Sequence, residues 1–419
     1  MIRALVFFAL LFLLFTSNSG AWSSAHISRF ADDLSDRIRR VENSLIPAVE
    51  KDQPTTPAPL TDRMRFYGVP NVSIAVINDG RVEWARGYGV LQPEGKKEAT
   101  PDTLFQACSL SKPIAAIAVL QLVEQGRLDL DADVNQKLTS WKVPDNEFTT
   151  QQKVTLRRLL THTAGLTVSG LRGYEAGEQL PSLLQILDGV APANSKPIRV
   201  DLVPGTQWRY SGGGFLVLQQ LLIDVTGKPF AETMQAMVLS KLEMKHSTYQ
   251  QSLPRTLSEQ SVPGYRKDGT MVKGRWHIYP EMAAGGMWST PSDLARVAIE
   301  LQRSKAGKSN KVLSTKMTNE MLSDQMKGFP TAIVSRRYSR EIRNQGLGFR
   351  LEGTGGAARF SHHGGNDGYT CFIVAYTEVG QGAVVMTNSD NGAELIQEII
   401  RSIAKEYHWL DYPLAAFSR

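Results

Sequence analysis

Apolar residues recur every three to four positions from Ile27 to Val49, with Phe30, Leu34, Ile38, Val41 and Leu45 set among charges. That spacing predicts an amphipathic helix, followed by a proline- and threonine-rich connector from Lys51 to Pro59. Val72 to Ile77 is nearly all apolar, Asn78-Asp79-Gly80 is a tight-turn signal, and Arg81 to Tyr88 mixes apolar with polar residues. Together they read as strand, turn and strand. Ile114, Ile117, Leu120, Leu122 and Val123 then mark a long apolar helix that stops at Gly126. Pro113 suits its first turn, where a missing N–H would have no partner anyway. Helix and loop signals dominate from Asp129 to Lys273, predicting a largely helical subdomain at about residues 129–273; one of its helices uses Phe215, Leu218, Leu222 and Val225 and ends at Gly227. Near the C-terminus two strands, Cys371 to Tyr376 and Ala383 to Thr387, flank a turn at Glu378–Gly382, and a last helix from Ala393 to Tyr407 carries Leu395, Ile396, Ile399, Ile400 and Ile403 toward one face of a sheet.

The 419 residues, 42% hydrophobic and 21% charged, suffice for a large core or for two subdomains. A net charge of +6 without a long basic block gives no support for nucleic-acid binding. Residues 1–25 have the form of a secretory signal: Arg3 precedes an apolar run from Ala4 to Phe15, and Ser19-Gly20-Ala21 offers a cleavage site, with Ala25 as a second. The run is shorter than the ~20 residues that span a bilayer, so we expect a secreted or periplasmic protein with no stable membrane span after signal removal; a retained N-terminal anchor is the competing reading. Residues 26–60 then form the N-terminal helix and connector, and residues 61–419 a single domain.

Candidate chemistry centres on Phe105-Gln106-Ala107-Cys108-Ser109-Leu110-Ser111-Lys112-Pro113. Three residues apart at the start of a helix, Ser109 and Lys112 share one face. A serine hydroxyl is a poor nucleophile until a base takes its proton, and a lysine is no base until it loses its own. A helix N-terminus and partial burial both disfavour the charged amine. Taken alone, the pair reads more readily as a capping serine beside an exposed lysine, since Ser-x-x-Lys arises often by chance.

The wider context alters that. Arg86-Gly87-Tyr88-Gly89-Val90, Thr103-Leu104-Phe105 and Ser109-Leu110-Ser111-Lys112-Pro113 resemble the serine β-lactamase and penicillin-binding-protein superfamily. The chain looks most like its class C β-lactamase-like serine hydrolases, which include esterases, D-amino-acid peptidases and D-alanyl-D-alanine carboxypeptidases. The resemblance runs from about Arg63 to the C-terminus. It implies an α/β (α+β) fold in which a central antiparallel β-sheet is flanked by helices on both faces, beside the helical subdomain. It also implies that Tyr210, in Trp208-Arg209-Tyr210-Ser211-Gly212-Gly213-Gly214-Phe215, matches the Tyr-x-Asn element and relays the proton to the leaving group. Gly212 departs from that element, because the asparagine that holds a substrate acylamide is missing.

Phe360-Ser361-His362-His363-Gly364-Gly365-Asn366 resembles the Lys-Thr-Gly strand in its His-x-Gly form. His362 offers a register one residue earlier; the two glycines after His363 set the expectation at His363. Gly364, Gly365 and Asn366 then lie along the substrate, and a main-chain N–H near Gly365 or Asn366 joins that of Ser109 in an oxyanion hole. Imidazole is mostly neutral at pH 7, so attraction for a substrate carboxylate is weaker than with lysine. His162, in Leu159-Leu160-Thr161-His162-Thr163-Ala164-Gly165-Leu166, is expected to brace loops under the site, and Met287 and Trp288 to pack in the core with a substrate wall as the rival role. Ser389-Asp390-Asn391 is expected only to cap the last helix. Cys108 and Cys371, side by side in the superfamily, are either a disulfide bracing the site or two buried thiols.

Other chemistry has no support: there is no His-Glu-x-x-His, Walker loop, Cys-x-x-Cys or Gly-x-Ser-x-Gly, and seven scattered histidines do not suggest a metal. The expectation is an exported serine acyl hydrolase without metal or cofactor, acting on small esters, amides or D-amino-acid peptides, with β-lactams a further class. The alternative is a penicillin-binding sensor that is acylated but turns over poorly.

Overall fold

The structure, a computed structural model, describes residues 24–47, 56–91, 95–327, 329 and 344–414. The signal-like stretch from Arg3 to Ala21 and residues 51–55 of the proline- and threonine-rich run lie outside the described residues. No helix among those described is long and apolar enough to cross a membrane.

The hairpin expected from Asn78-Asp79-Gly80 is present as β1 (Val72–Asn78) and β2 (Arg81–Tyr88). Asp79 and Gly80 both have positive φ, 51° and 67°, as the tight two-residue turn that matches strand twist demands. Four later strands complete the sheet: β3 (Arg350–Glu352), β4 (Arg359–Asn366), β5 (Tyr369–Tyr376) and β6 (Gly382–Thr387). They pair antiparallel in the order β2-β1-β6-β5-β4-β3. Chain ends therefore meet at the centre, where β1 lies between β2 and β6.

Alternation along β1 sends Val72, Ile74 and Val76 to one face and Ala75 and Ile77 to the other, and all are buried. The first face is covered by α1 (Ser24–Asn43), α2 (Leu60–Tyr67) and the terminal helix α7 (Gly392–Glu406). The second packs on a larger core that includes α3 (Ser111–Glu124), α4 (Gly212–Thr226) and α6 (Pro291–Lys305). The fold is thus a six-stranded antiparallel sheet with helices on both faces. Residues 129–273 hold helices and isolated bridges, and their apolar side chains join that same larger core.

Helix α1 stops six residues short of the expected end. Leu45 instead exchanges two main-chain hydrogen bonds with Ala58, at 3.1 and 3.0 Å, and the residue before Pro47 is disfavoured in helical conformation. Ile38, Val41 and Leu45 are buried, and Ser402 on α7 donates to the Val41 carbonyl at 2.8 Å.

A buried ion pair locks α2 to α7. Arg63 reaches the Glu398 carboxylate through two nitrogens, each at 2.8 Å, and the Tyr67 hydroxyl adds a third bond at 2.7 Å. Glu398 is fully buried. Arg63→Ala should therefore lower unfolding stability by roughly 3–5 kcal/mol, since it strands a buried charge, while joint replacement of Arg63 and Glu398 by Met and Leu should recover most of the loss. Urea denaturation measures both; a single-variant loss below about 1 kcal/mol would contradict the assignment.

The stretch Ser389-Asp390-Asn391 does open α7, but not as a side-chain cap. Asn391 sits at the N-cap without a capping bond, Asp390 accepts from the Gly368 N–H at 2.8 Å, and Asn391 Nδ2 donates to the Lys267 carbonyl. These side chains fasten neighbouring loops.

Candidate active site

Ser109 lies on a tight 3-10 turn, Cys108–Leu110, directly before α3 and not on its first α turn. Cys108 has φ of +50°, a left-handed conformation that is costly for a side-chain-bearing residue and so needs support around it. Ser111 Oγ donates to the Cys108 carbonyl at 2.6 Å and accepts from the Met287 N–H at 3.1 Å, while the Ala107 N–H reaches the Met287 carbonyl at 2.8 Å. Helix α3 behind this turn is buried on nearly every side, so the nucleophile is mounted on the middle of the core.

The three-residue spacing brings Lys112 Nζ to 3.1 Å from Ser109 Oγ and 2.7 Å from the Ala284 carbonyl oxygen. Ala284 belongs to the short helix α5 (Met282–Gly285). Lys112 is almost fully buried, and this desolvation pulls its pKa down to about 7, with a smaller opposing contribution from Cys108. A neutral amine is thus available near physiological pH. Burial, ahead of any helix-end effect, is what makes it so.

Tyr210 comes from the loop entering α4, and its ring centre is 5.0 Å from Lys112 Nζ. His162 holds that loop: its carbonyl accepts from the Arg209 N–H at 2.8 Å and its Nδ1 from the Ser211 N–H at 3.2 Å. The proton of this imidazole therefore sits on Nε2. Burial and nearby Lys112 drive its pKa well down, and its ring lies 4.4 Å from that of Tyr210. At Gly212, a β-carbon would meet the Ser169 carbonyl oxygen at 3.1 Å and Leu171 Cδ1 at 3.2 Å. A side chain there would press on the Ser169 carbonyl and need Leu171 to give by a few tenths of an ångström.

On β4 the expected register is off by one. Gly364 faces the nucleophile so closely that a β-carbon there would lie 2.5 Å from the Cys371 sulfur, 2.8 Å from Cys108 Cβ and 3.0 Å from the Ser109 nitrogen. Because side chains alternate, His362 shares that face and His363 does not. His363 stacks on Phe372 at 4.1 Å, over the core beneath α7. His362 is buried, and desolvation, then the proximity of Lys112, pushes its pKa down to about 3. Its Nδ1 lies 2.6 Å from the His363 carbonyl and must donate, leaving Nε2 as an acceptor. His362→Ala is accordingly expected to lower kcat by about 10²-fold, whereas His363→Ala should change it by no more than about twofold. Equal losses in steady-state assays of the two variants would count against this register.

Gly365 is exposed and pairs with Thr370, while Asn366 spends its amide on Gln106 Oε1 at 2.8 Å and the Gly285 carbonyl at 3.0 Å. Asn366 thus ties the strand end to α5. Trp288 is buried between the rings of Trp276 and Tyr369, and Met287 is buried beside it, so both serve packing. Cys108 and Cys371 are buried thiols, Cys371 Sγ donating to the Ala107 carbonyl at 3.0 Å. Among the described residues no group of histidine, cysteine, aspartate and glutamate could hold a metal. Two features escaped sequence reasoning: the Ala284 carbonyl, which carries no side-chain signal, and Glu281 just before α5, which reads as an ordinary surface residue.

Comparison with known proteins agrees with the fold. A profile of the Beta-lactamase family matches residues 59–407. Teichoic acid D-alanine hydrolase of Staphylococcus aureus strain MRSA252 is 24% identical over 293 residues, 69% of this chain and 64% of that protein. The chain thus spans a little under two thirds of the length of such curated relatives. Among solved structures, the octameric penicillin-binding protein homologue from Pyrococcus abyssi superposes with a TM-score of 0.65 at 22% identity, covering 83% of this chain and 76% of that one. D-amino acid amidase from Ochrobactrum anthropi SV3 gives 0.65 at 21% identity, covering 89% and 99%. With the family profile extending over most of its length and the fold matched by these structures, the chain belongs to the beta-lactamase family.

Proposed function

We propose that this protein is an exported serine acyl hydrolase, secreted or periplasmic, acting on small esters, amides or D-amino-acid peptides by a two-step acyl transfer that needs no metal or cofactor. One observation carries the reading: a buried amine of pKa about 7 lies 3.1 Å from a serine hydroxyl. The neutral amine takes the hydroxyl proton as Oγ attacks the carbonyl carbon. Negative charge developing on the carbonyl oxygen is held by main-chain N–H groups, for which Ser109 and Gly365 are the candidates. Tyr210 and Lys112 then return the proton to the leaving group, and water releases the acyl chain by the same steps reversed.

Two departures in the site support this substrate class. Gly212 offers no side-chain amide where an acylamide-binding asparagine would stand, and a neutral His362 supplies no fixed cation for a carboxylate. Both features favour simple esters, amides and D-amino acid derivatives over penicillins. The names of the relatives, a D-alanine hydrolase and a D-amino acid amidase, point the same way. The missing polar group at Gly212 also motivates the second reading, a penicillin-acylated sensor that deacylates slowly.

Intact-mass measurements on the mature protein separate the two. Mixed with p-nitrophenyl esters, a D-alanyl ester and a labelled penicillin, a hydrolase shows multiple turnover of the first two with a transient adduct. A sensor shows a stable penicillin adduct and no turnover. No adduct and no turnover with any of them would defeat both.

A further inference from the structure

Helix α5 is a single turn, too short to hold its shape alone, yet its Ala284 carbonyl fixes the amine of Lys112 at 2.7 Å. Its N-cap, Glu281, makes no side-chain capping bond, and both Glu281 carboxylate oxygens are buried without a hydrogen-bond partner among the described residues. A buried, unpaired carboxyl is costly and pulls this segment toward water. Gln219, buried near the middle of α4 among apolar neighbours, opposes that pull. Its Oε1 accepts from the Ala283 N–H at 2.9 Å and its Nε2 donates to the Pro280 carbonyl at 3.0 Å. One carboxamide thus grips the chain on both sides of Glu281 and supplies the cap that α5 lacks.

Within the turn, the Glu281 carbonyl accepts from the Ala284 and Gly285 N–H groups at 3.1 and 2.9 Å. The far end is fixed by Asn366, which donates to the Gly285 carbonyl at 3.0 Å, and by Gln251, which donates to the Gly286 carbonyl. Hydrogen bonds and one peptide group therefore run without a gap from Gln219 through Ala283 and Ala284 to Lys112. A carbonyl oxygen can only accept, so Ala284 takes an N–H of the amine. Because the bonds and lone pair of a neutral amine are tetrahedral, that choice leaves the lone pair free to turn to Ser109 Oγ, 3.1 Å away. The titratable groups facing Lys112 are Cys108 on the nucleophile turn, Tyr210 before α4, His162 after the Leu156–Leu160 helix and His362 on β4; the segment that carries Ala284 also carries Glu281.

We infer that Gln219 is a positioning residue: by pinning α5 it aims the Ala284 carbonyl at Lys112, and so the Lys112 lone pair at the Ser109 proton. This rests on the acyl-hydrolase reading above. As the bond from Oγ to the substrate carbonyl carbon forms, the Oγ–H bond breaks and its proton joins the Nζ lone pair. The carbonyl π pair moves onto oxygen. The Ala284 oxygen, already bonded to Nζ, then holds the ammonium that results, with no rearrangement of the backbone at the moment of transfer.

The test is the pH dependence of kcat/KM, from pH 5 to 9, for wild type, Gln219→Met, Gln219→Asn, Gln220→Met and Ser109→Ala on an ester the wild type turns over. Methionine fills similar space without the two bonds. The resulting drift of α5 is expected to lower the plateau of kcat/KM by about 10- to 100-fold. The ammonium also loses a fixed acceptor, so the acid limb, near pH 7 in the wild type, should move to lower pH. Merely structural loosening has the opposite sign, because water reaching the amine restores its ordinary basicity and moves the limb up. Gln220, the next residue on α4, bonds to Asp224 instead, and Gln220→Met should leave the limb in place. A limb that stays or moves up in Gln219→Met, or moves down equally in Gln220→Met, overturns the inference. If the methionine variant does not fold, the same comparison with Gln219→Asn, whose shorter amide cannot span both peptide groups, decides. Ser109→Ala at wild-type rate would instead overturn the hydrolase reading beneath it.

Discussion

Ser109→Ala is expected to lower kcat on a p-nitrophenyl ester by on the order of 10⁴- to 10⁶-fold, leaving only what binding and oxyanion stabilisation achieve without a nucleophile. The covalent adduct seen by intact mass should vanish with it. Folding should not suffer, because the turn is held by Ser111 and by main-chain contacts with Met287 rather than by the Ser109 hydroxyl. A variant with wild-type rate and wild-type adduct would remove Ser109 from the mechanism.

Replacing Lys112 should cost nearly as much. Lys112→Met removes the base and is expected to reduce kcat/KM by about 10²- to 10⁴-fold at pH 8. In the wild type the reactive amine is neutral, so the rate should rise with pH through about 7 and level off above it. The sign for stability runs opposite to that of most charged groups. The folded-state pKa lies below the unfolded one, near 10.5, so the burial penalty is fully present below about 7 and disappears as pH rises toward the unfolded value. Lys112→Met should consequently raise the Tm at pH 7 while it abolishes most activity, a trade of stability for function. A Tm lower than wild type would show that the lysine is not desolvated as described.

Much of this was legible in the chain. Ser109 and Lys112 were readable because a three-residue spacing at a helix start brings two side chains together whatever the surroundings, and the β1–β2 hairpin because Asp79 and Gly80 are residues that tolerate left-handed backbone. The choice of His363 over His362 on β4 has an equally physical origin. A strand alternates faces every residue, and Gly364-Gly365 satisfies a His-x-Gly pattern in either register; only the contact of Gly364 with Cys108 and Ser109 tells the faces apart. The same contact explains the 3-10 turn, since a left-handed Cys108 is not a property of cysteine but of the packing around it. Glu281 was beyond reach because nothing in Pro280-Glu281-Met282 signals burial; the loop is drawn inward by Gln219, 61 residues upstream of Pro280.

The N-terminal helix has a further consequence for handling the protein. Strand β2 ends the sheet, and α1 is fastened to it by Arg37 on Glu83 and by Glu42 on Arg86 and Tyr88, with Ile38 and Val41 sealing Trp84 beneath. A shortened chain starting near residue 56 would bare that indole and the open rim of the ladder, inviting edge-to-edge self-association and eventual precipitation. Loss of monodispersity, before any loss of catalytic groups, would be the first sign of over-trimming.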